Sequence, residues 1–282
     1  MTDVDTGERT YALGDSDSER RRLMQQSDLL GVYTRHVFEQ AGIAPGMRVL
    51  DVGSGAGDVA LLLADLVGPD GAVVGIDQNP AILATATARA RDLGHRNITF
   101  VTGDVSDATF DRGFDAAVGR LVLMYLADPV AALRRIAGHL RPGGVVAFQE
   151  ADFTSFAHSV PPIPLMADIH DWIRGAFAAA GCDTQIGFRV RRQFLDAGLP
   201  APRLQFNTVM GGGEDFAGYT FTAATLRSLL PVIERAGLAT AAEIDVDTLP
   251  DRLRDEVVAA DASITTISVV GAWSTLPAAP AG

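Results

Sequence analysis

The sequence predicts an α/β fold built on a doubly wound, mostly parallel sheet. Strand and helix patterns alternate from Met47 to Gln149, and a buried strand runs straight into the glycine-rich turn Gly53-Ser-Gly55-Ala-Gly57. Two of the intervening helices open on a cap followed by proline, Asn79-Pro80 and Asp128-Pro129. Alternation on this scale requires parallel pairing with right-handed crossovers.

In chain order, residues 1–10 are small, acidic and aperiodic. Ser18 to Ala41 repeats apolar residues at helical spacing (Leu23, Leu30, Val37), enough for one or two helices. Ile43-Ala-Pro-Gly46 ends them with a turn. Strands are expected at Met47–Val52, Ala72–Ile76, Ile98–Thr102, Phe114–Val118 and Val145–Gln149. The helices between them are expected at Asp58–Val67, from Pro80 to about Gly94, and from Pro129 to near Leu140. Arg141-Pro-Gly-Gly144 reads as a turn. Beyond it, helices are expected at Leu165–Ala180 and Phe188–Ala197, strands at Arg203–Val209 and Ile264–Gly271. Between these strands lie a flexible break at Gly211–Gly213 and two helical stretches. The second opens with Thr240-Ala-Ala-Glu243, which matches a capping box. The simplest organisation is a single domain: a helical cap at 1–45, a ligand-binding core at 46–150, and the rest of the sheet at 151–282 with a helical insertion at 214–262.

A chain of 282 residues, 48% hydrophobic and 21% charged, can bury a core without disulfides or structural metal. The single cysteine, Cys182, excludes an internal disulfide and gives no metal-ligand spacing. The first 30 residues lack a signal-peptide apolar stretch, and runs such as Val59–Ala64 are too short for a bilayer. The net charge of −12 repels a nucleic-acid backbone. A cytoplasmic protein acting on a small molecule is the expectation, with no nucleic acid, no membrane span and a homodimer allowed.

Three acids at strand ends carry the chemistry. In Asp51-Val-Gly53-Ser-Gly55-Ala-Gly57 the glycines let a ligand approach the backbone, and the following helix offers free N–H groups. The spacing is G-x-G-x-G, with Asp58 where the dinucleotide fingerprint needs its third glycine. Asp51 sits badly beside a pyrophosphate and well beside an ammonium, which argues for a cationic ligand without phosphates. Asp77 ends the second strand, where an acid accepts hydrogen bonds from ribose hydroxyls; its bland role is to start the turn before Asn79. Asp104, in Gly103-Asp104-Val105, is placed to accept from an adenine amino group or to be a plain turn residue.

These three elements, in this order, resemble the class I S-adenosylmethionine (SAM)-dependent methyltransferases. Phe114-Asp115-Ala-Ala-Val-Gly-Arg120 and Leu140-Arg-Pro-Gly-Gly-Val-Val-Ala-Phe148 extend the likeness over about residues 46–150. Tyr11-Ala-Leu-Gly14 with Glu19, Arg22, Leu23 and Gln26 is similar to openings in a bacterial subgroup acting on small molecules. The resemblance implies a Rossmann-like, seven-stranded, mostly parallel sheet whose last strand is antiparallel, with a helical cap. It implies SAM as cofactor. Asp51, Gly53, Ser54, Gly55 and Gly57 would hold its methionine part, with Arg120 and Leu121 alongside. Asp77 and Gln78 would hold the ribose, and Gly103, Asp104 and Val105 the adenine. Tyr11 and Gln26 would add contacts from the N-terminal segment.

No catalytic base announces itself. Glu150, His158 and His170 are the candidates, each weighed against a structural role, and Trp172, Tyr125 and Phe153 are candidate pocket aromatics. Gly119-Arg-Leu-Val122 stands where adenine-N6 and glutamine methyltransferases carry an asparagine-proline-proline-tyrosine type motif. The expected activity is methyl transfer to an O, N or C atom of a small acceptor, in secondary or lipid and quinone metabolism. The alternative on the same fold is a cyclase-type enzyme that retains SAM. A nicotinamide dehydrogenase is disfavoured by the glycine spacing, and a non-enzymatic interaction protein by the three ligand motifs. The acceptor site is expected under a roof made by the N-terminal helices and by helices within 153–180 and 214–262, with Gly211–Gly213 and Pro161–Pro164 as hinges.

Overall fold

The computed structural model describes residues 17–105 and 112–279. Its strands are β1 (Arg48–Val52), β2 (Ala72–Asp77), β3 (Ile98–Thr102), β4 (Phe114–Arg120), β5 (Leu140–Ala151), β6 (Ser159–Val160), β7 (Arg203–Gly211) and β8 (Ser263–Thr275). Helices α1 (Asp17–Ala41), α2 (Asp58–Val67), α3 (Pro80–Asp92) and α4 (Pro129–Ala137) belong to the first half. Helices α5 (Pro164–Ala179), α6 (Ile186–Asp196), α7 (Gly218–Arg235), α8 (Ala241–Ile244) and α9 (Leu249–Ala259) belong to the second.

The sheet runs β3-β2-β1-β4-β5-β8-β6, with β7 on the other edge of β8. Strands β1 to β5 are parallel, and β8 runs antiparallel to β5, β6 and β7. The described residues therefore hold eight strands where seven were expected. The extra one is β6, whose Ser159 and Val160 continue the β5 side of β8 opposite Ile264 and Ser263. Two residues are too few to carry a period-2 signal.

Side chains alternate across a strand, so each central strand feeds two cores. Val49, Val118 and Ala147 face a core shared with α1 and α2, where Val37, Phe38, Val59 and Leu63 are buried. Leu50, Ala117, Val146 and Phe148 face the larger core, which takes in buried residues of α4, α5, α6, α7 and α9. The first half matches the sequence expectation closely. Asn79 caps α3 by accepting from Ala81 N at 2.9 Å and Ile82 N at 3.3 Å, and Asp128 caps α4 by accepting from Ala131 N at 2.8 Å.

Three expectations change. Arg141–Gly144 is a register shift inside β5 rather than a turn before it. The Thr240–Glu243 capping box forms, but it caps only the four-residue α8, and α9 follows as a separate helix. In the Gly211–Gly213 segment only Gly213 has open space: a Cβ on Gly211 would lie 2.3 Å from Phe216, and one on Gly212 2.1 Å from the Ala262 carbonyl. These two glycines permit close packing.

The same logic ties α1 to the sheet, because a Cβ on Gly271 of β8 would meet Val37 at 2.7 Å. Gly271→Ala is expected to cost about 1–3 kcal/mol by overpacking, read as a lower Tm. An unchanged Tm would contradict this docking.

Candidate active site

Parallel strands β1, β2, β3, β4 and β5 all end on one rim, and a cavity of about 760 Å³ opens there. Its volume lies in the range of ordinary ligand sites, about 300–1,000 Å³. At the β1–β3 end it is lined by Gly53, Gly55, Asp77, Gln78, Asp104 and Val105, with Gly103 beside them. Arg120 and Leu121 line its middle, and Arg22, Leu23 and Gln26 of α1 reach it from above. Tyr11 lies outside the described residues.

Each loop on this rim is held by a carboxylate. Asp77 accepts Gly55 N–H on Oδ2 and Asn79 N–H on Oδ1, both at 2.9 Å. Asp77 thus has the turn role, fastening the glycine loop to the start of α3, and it lines the cavity where the ribose ligand is expected. Asp104 accepts from Gln78 Nε2 at 2.7 Å, joining the ends of β2 and β3.

Asp51, Ser54 and Gly57 do not line the cavity. Asp51 is fully buried one layer behind the loop, with Oδ2 accepting from Ser54 Oγ at 2.7 Å and Oδ1 without a partner. Burial pushes its pKa up to about 7, against the lowering effects of the Ser54 bond and of Arg120. Gly57 adopts φ +86°, and a Cβ there would lie 3.0 Å from Ala86 and 3.3 Å from Phe100. Its glycine serves the approach of α3 and β3. Asp58, the departure from the dinucleotide pattern, pairs with Arg89 of α3 at 2.7 Å.

Arg120 donates to Thr34 Oγ1 of α1 at 3.3 Å, and Thr34 donates to Gln149 at 2.7 Å. Burial lowers the Arg120 pKa from its ordinary value, while Asp58 and Asp51 raise it and Arg22 lowers it. Arg22 in turn donates to Gln26 at 2.7 Å. Leu121 sits at φ 57°, a strained conformation for a branched side chain, and is tied by its N–H to Gln149 O at 2.8 Å.

The base candidates stand elsewhere. Glu150 is fully buried behind the loop after β4, where Oε1 accepts Val122 N–H at 3.1 Å and Leu123 N–H at 3.0 Å. His158 is exposed, with its ring 6.4 Å from that of His170, and neither imidazole lines the cavity. Trp172 packs partly buried against the larger core instead of the cavity. Tyr125 and Phe153 do line it. Sequence reasoning missed Asp152, which is 1% exposed, lines the cavity, and holds Thr154 N and Oγ on Oδ1. A signal existed in Glu150-Ala-Asp152, two acids on one face where β5 ends.

At the β5–β8 end the walls gain aromatic and aliphatic side chains, Phe153, Phe156, Ile173, Phe177 and Phe221, with Asp152, Thr266 and Ser268 among them. All three expected roof segments reach the cavity: α1, residues 153–177, and α7 through Phe221, Thr222 and Thr225. Helices α8 and α9 do not. Among the described residues no His, Cys, Asp and Glu group could hold a metal, and no helix is long and apolar enough to cross a membrane.

A family model described as "Methyltransferase domain" matches residues 43–180. A 2-phytyl-1,4-naphtoquinone methyltransferase of Synechococcus elongatus is 31% identical over 211 residues, covering 71% of this chain and 85% of that one. The chain belongs to the class I SAM-dependent methyltransferases. An aklanonic acid methyltransferase, DauC, of Streptomyces sp. is 38% identical over 109 residues, 38% of this chain and 50% of that one. Among solved structures, a putative methyltransferase from Bacillus halodurans superposes with a TM-score of 0.56 at 16% identity, covering 86% of this chain and 98% of that one. The [4+2]-cyclase SpnF superposes at 0.54 and 19% identity, covering 87% and 81%. Both share the fold. The protein is a SAM-dependent methyltransferase with a small-molecule acceptor, and SAM is its cofactor.

This methyltransferase keeps two buried carboxyls neutral at mildly acid pH. Burial raises Glu150 from 4.5 to about 7, against the lowering effect of the backbone N–H groups of Leu123, Val122 and Met124. Between pH 4.5 and 7 the folded state therefore holds a proton that the unfolded chain has lost, so stability falls as pH rises through this window. The shift corresponds to about 3 kcal/mol. Glu150→Gln keeps an acceptor for both N–H groups and cannot ionise. Its Tm is expected to fall less than that of wild type between pH 5.5 and 8.5, by roughly 5 °C. Parallel Tm curves would contradict this role.

Proposed function

We propose that the enzyme methylates an apolar, ring-bearing acceptor of the quinol or polyketide kind. The observation that carries this reading is the change of character along the cavity, from polar at the β1–β3 end to phenylalanine-lined at the β5–β8 end. The names of the relatives, a phytyl naphthoquinone enzyme and an aklanonic acid enzyme, support an acceptor of this class.

The residues fit SAM at the polar end. Gly55 leaves open space beside the loop, since a Cβ there would meet nothing nearer than Gly53 O at 4.0 Å. Arg120, with Arg22 and Gln26, suits a carboxylate, and the unpartnered Asp51 Oδ1 behind the loop favours a positive group in front of it. Each Asp77 oxygen keeps a free lone pair for a ribose hydroxyl. Asp104 and Gln78 are set for an adenine edge.

Bound SAM supplies a methyl carbon already made electrophilic by the sulfonium. What remains for the chain is alignment and exclusion of water. The aromatic residues do both, by closing around an apolar acceptor and leaving water little room. The strained Leu121 loop sits between the two ends, and Glu150 fixes it from behind.

Two measurements check the reading. Asp77→Ala is expected to weaken binding of S-adenosylhomocysteine by about 1.5–3 kcal/mol in calorimetry, roughly 10- to 150-fold, on a folded protein. Wild-type affinity would contradict the ribose role. Methyl-labelled SAM incubated with a panel of hydroquinones, phenols and polyketides is expected to label one class. Binding without any labelled product would favour the cyclase-type alternative.

A further inference from the structure

Three carboxylates on the rim keep an oxygen that is buried and has no partner: Asp51 Oδ1, Glu150 Oε2 and Asp152 Oδ2. Of these, Asp152 alone lines the cavity. Its other oxygen is committed, accepting Thr154 Oγ at 2.7 Å and Thr154 N at 3.2 Å, and its own N–H is bonded to Ser268 O. The side chain is therefore fixed with one acceptor turned to spare. On the neighbouring strand β8, two residues before Ser268, Thr266, 6% exposed, also lines the cavity and has an unpartnered Oγ1.

A buried carboxylate oxygen without a donor is costly unless a ligand supplies one. Phe153 and Phe156, on the residues that follow, and Phe177 from α5 give the surroundings an aromatic wall. A ligand suited to this corner carries a hydroxyl on an apolar aromatic ring.

We infer that Asp152 and Thr266 form the acceptor subsite: Asp152 Oδ2 takes the hydrogen bond, and then the proton, of a ring hydroxyl. This rests on the methyl-transfer reading above and assigns its acceptor-binding residues. In the step, the hydroxyl oxygen's electron pair forms the new bond to the methyl carbon. The bond from that carbon to sulfur breaks, its pair remaining on sulfur to give the neutral thioether. The hydroxyl proton passes to Asp152 Oδ2. Thr266 Oγ1 donates to the acceptor's hydroxyl oxygen and holds it in line.

Asp152→Asn discriminates sharply. The N–H of Thr154 pins the amide carbonyl at the Oδ1 position, which leaves an NH₂ donor where the acceptor stood. Thr266→Val keeps shape and removes the hydroxyl. The probes are 2-naphthol and 2-methoxynaphthalene, which lacks the donor, titrated calorimetrically into protein saturated with S-adenosylhomocysteine. Wild type is expected to prefer 2-naphthol by about tenfold or more. Asp152→Asn is expected to lose that preference while binding S-adenosylhomocysteine and 2-methoxynaphthalene as wild type does. Thr266→Val is expected to lose it in part. An unaltered preference in Asp152→Asn, or none in wild type that binds S-adenosylhomocysteine, would overturn the subsite and leave the methyl-transfer reading standing. Failure of wild type to bind S-adenosylhomocysteine would overturn both.

Discussion

The structure depends on carboxylates at the ends of parallel strands accepting the N–H groups and hydroxyls of the loops beyond them. Five parallel strands stop on one rim, and there the backbone leaves its ladder without leaving the interior. Buried N–H groups must find acceptors. Asp77 supplies two for the glycine loop and α3, Glu150 two for the loop after β4, and Asp152 one for the loop after β5. Asp51 anchors Ser54 in the same way. The ligand cavity is the space these fastened loops enclose.

The arrangement has an electrostatic cost that also gives it a use. Burial drives Asp51 and Glu150 toward the neutral form, both to about 7. In front of these loops Asp77 and Asp104 line the cavity, into which Arg22 and Arg120 project from α1 and β4. A zwitterionic, partly cationic cofactor matches this mixture better than a polyphosphate does. At the far end Phe153, Phe156, Phe177 and Phe221 line the same cavity, which suits the apolar acceptor proposed for it.

Much of this was legible in the residues. Asp58–Val67 and Ile98–Thr102 have the bounds read from the sequence, because the glycine turn and strand-like patterning are local signals. The strand-end acids were equally visible, since each follows an apolar run. What each acid holds was not. Glu150 looked like a base because its partners, Val122 and Leu123, are 28 and 27 residues away in sequence. Gly57 looked like a ligand contact because the atoms that exclude a side chain, on Ala86 and Phe100, belong to other elements. The Gly211 and Gly212 hinge reading failed for the same reason. Asp152 was passed over because its value lies in an unpaired oxygen, which no local pattern records.

If these strand-end loops are the cofactor site, hydrogen exchange read by mass spectrometry detects it there. Peptides covering Gly53–Gly57, Asp77–Asn79 and Gly103–Val105 are predicted to exchange more slowly when S-adenosylhomocysteine is added. Those covering β7 and α9, which contribute nothing to the cavity, are predicted to stay unchanged. Saturating S-adenosylhomocysteine that slows β7 or α9, and leaves the three strand-end loops as they were, would contradict the account.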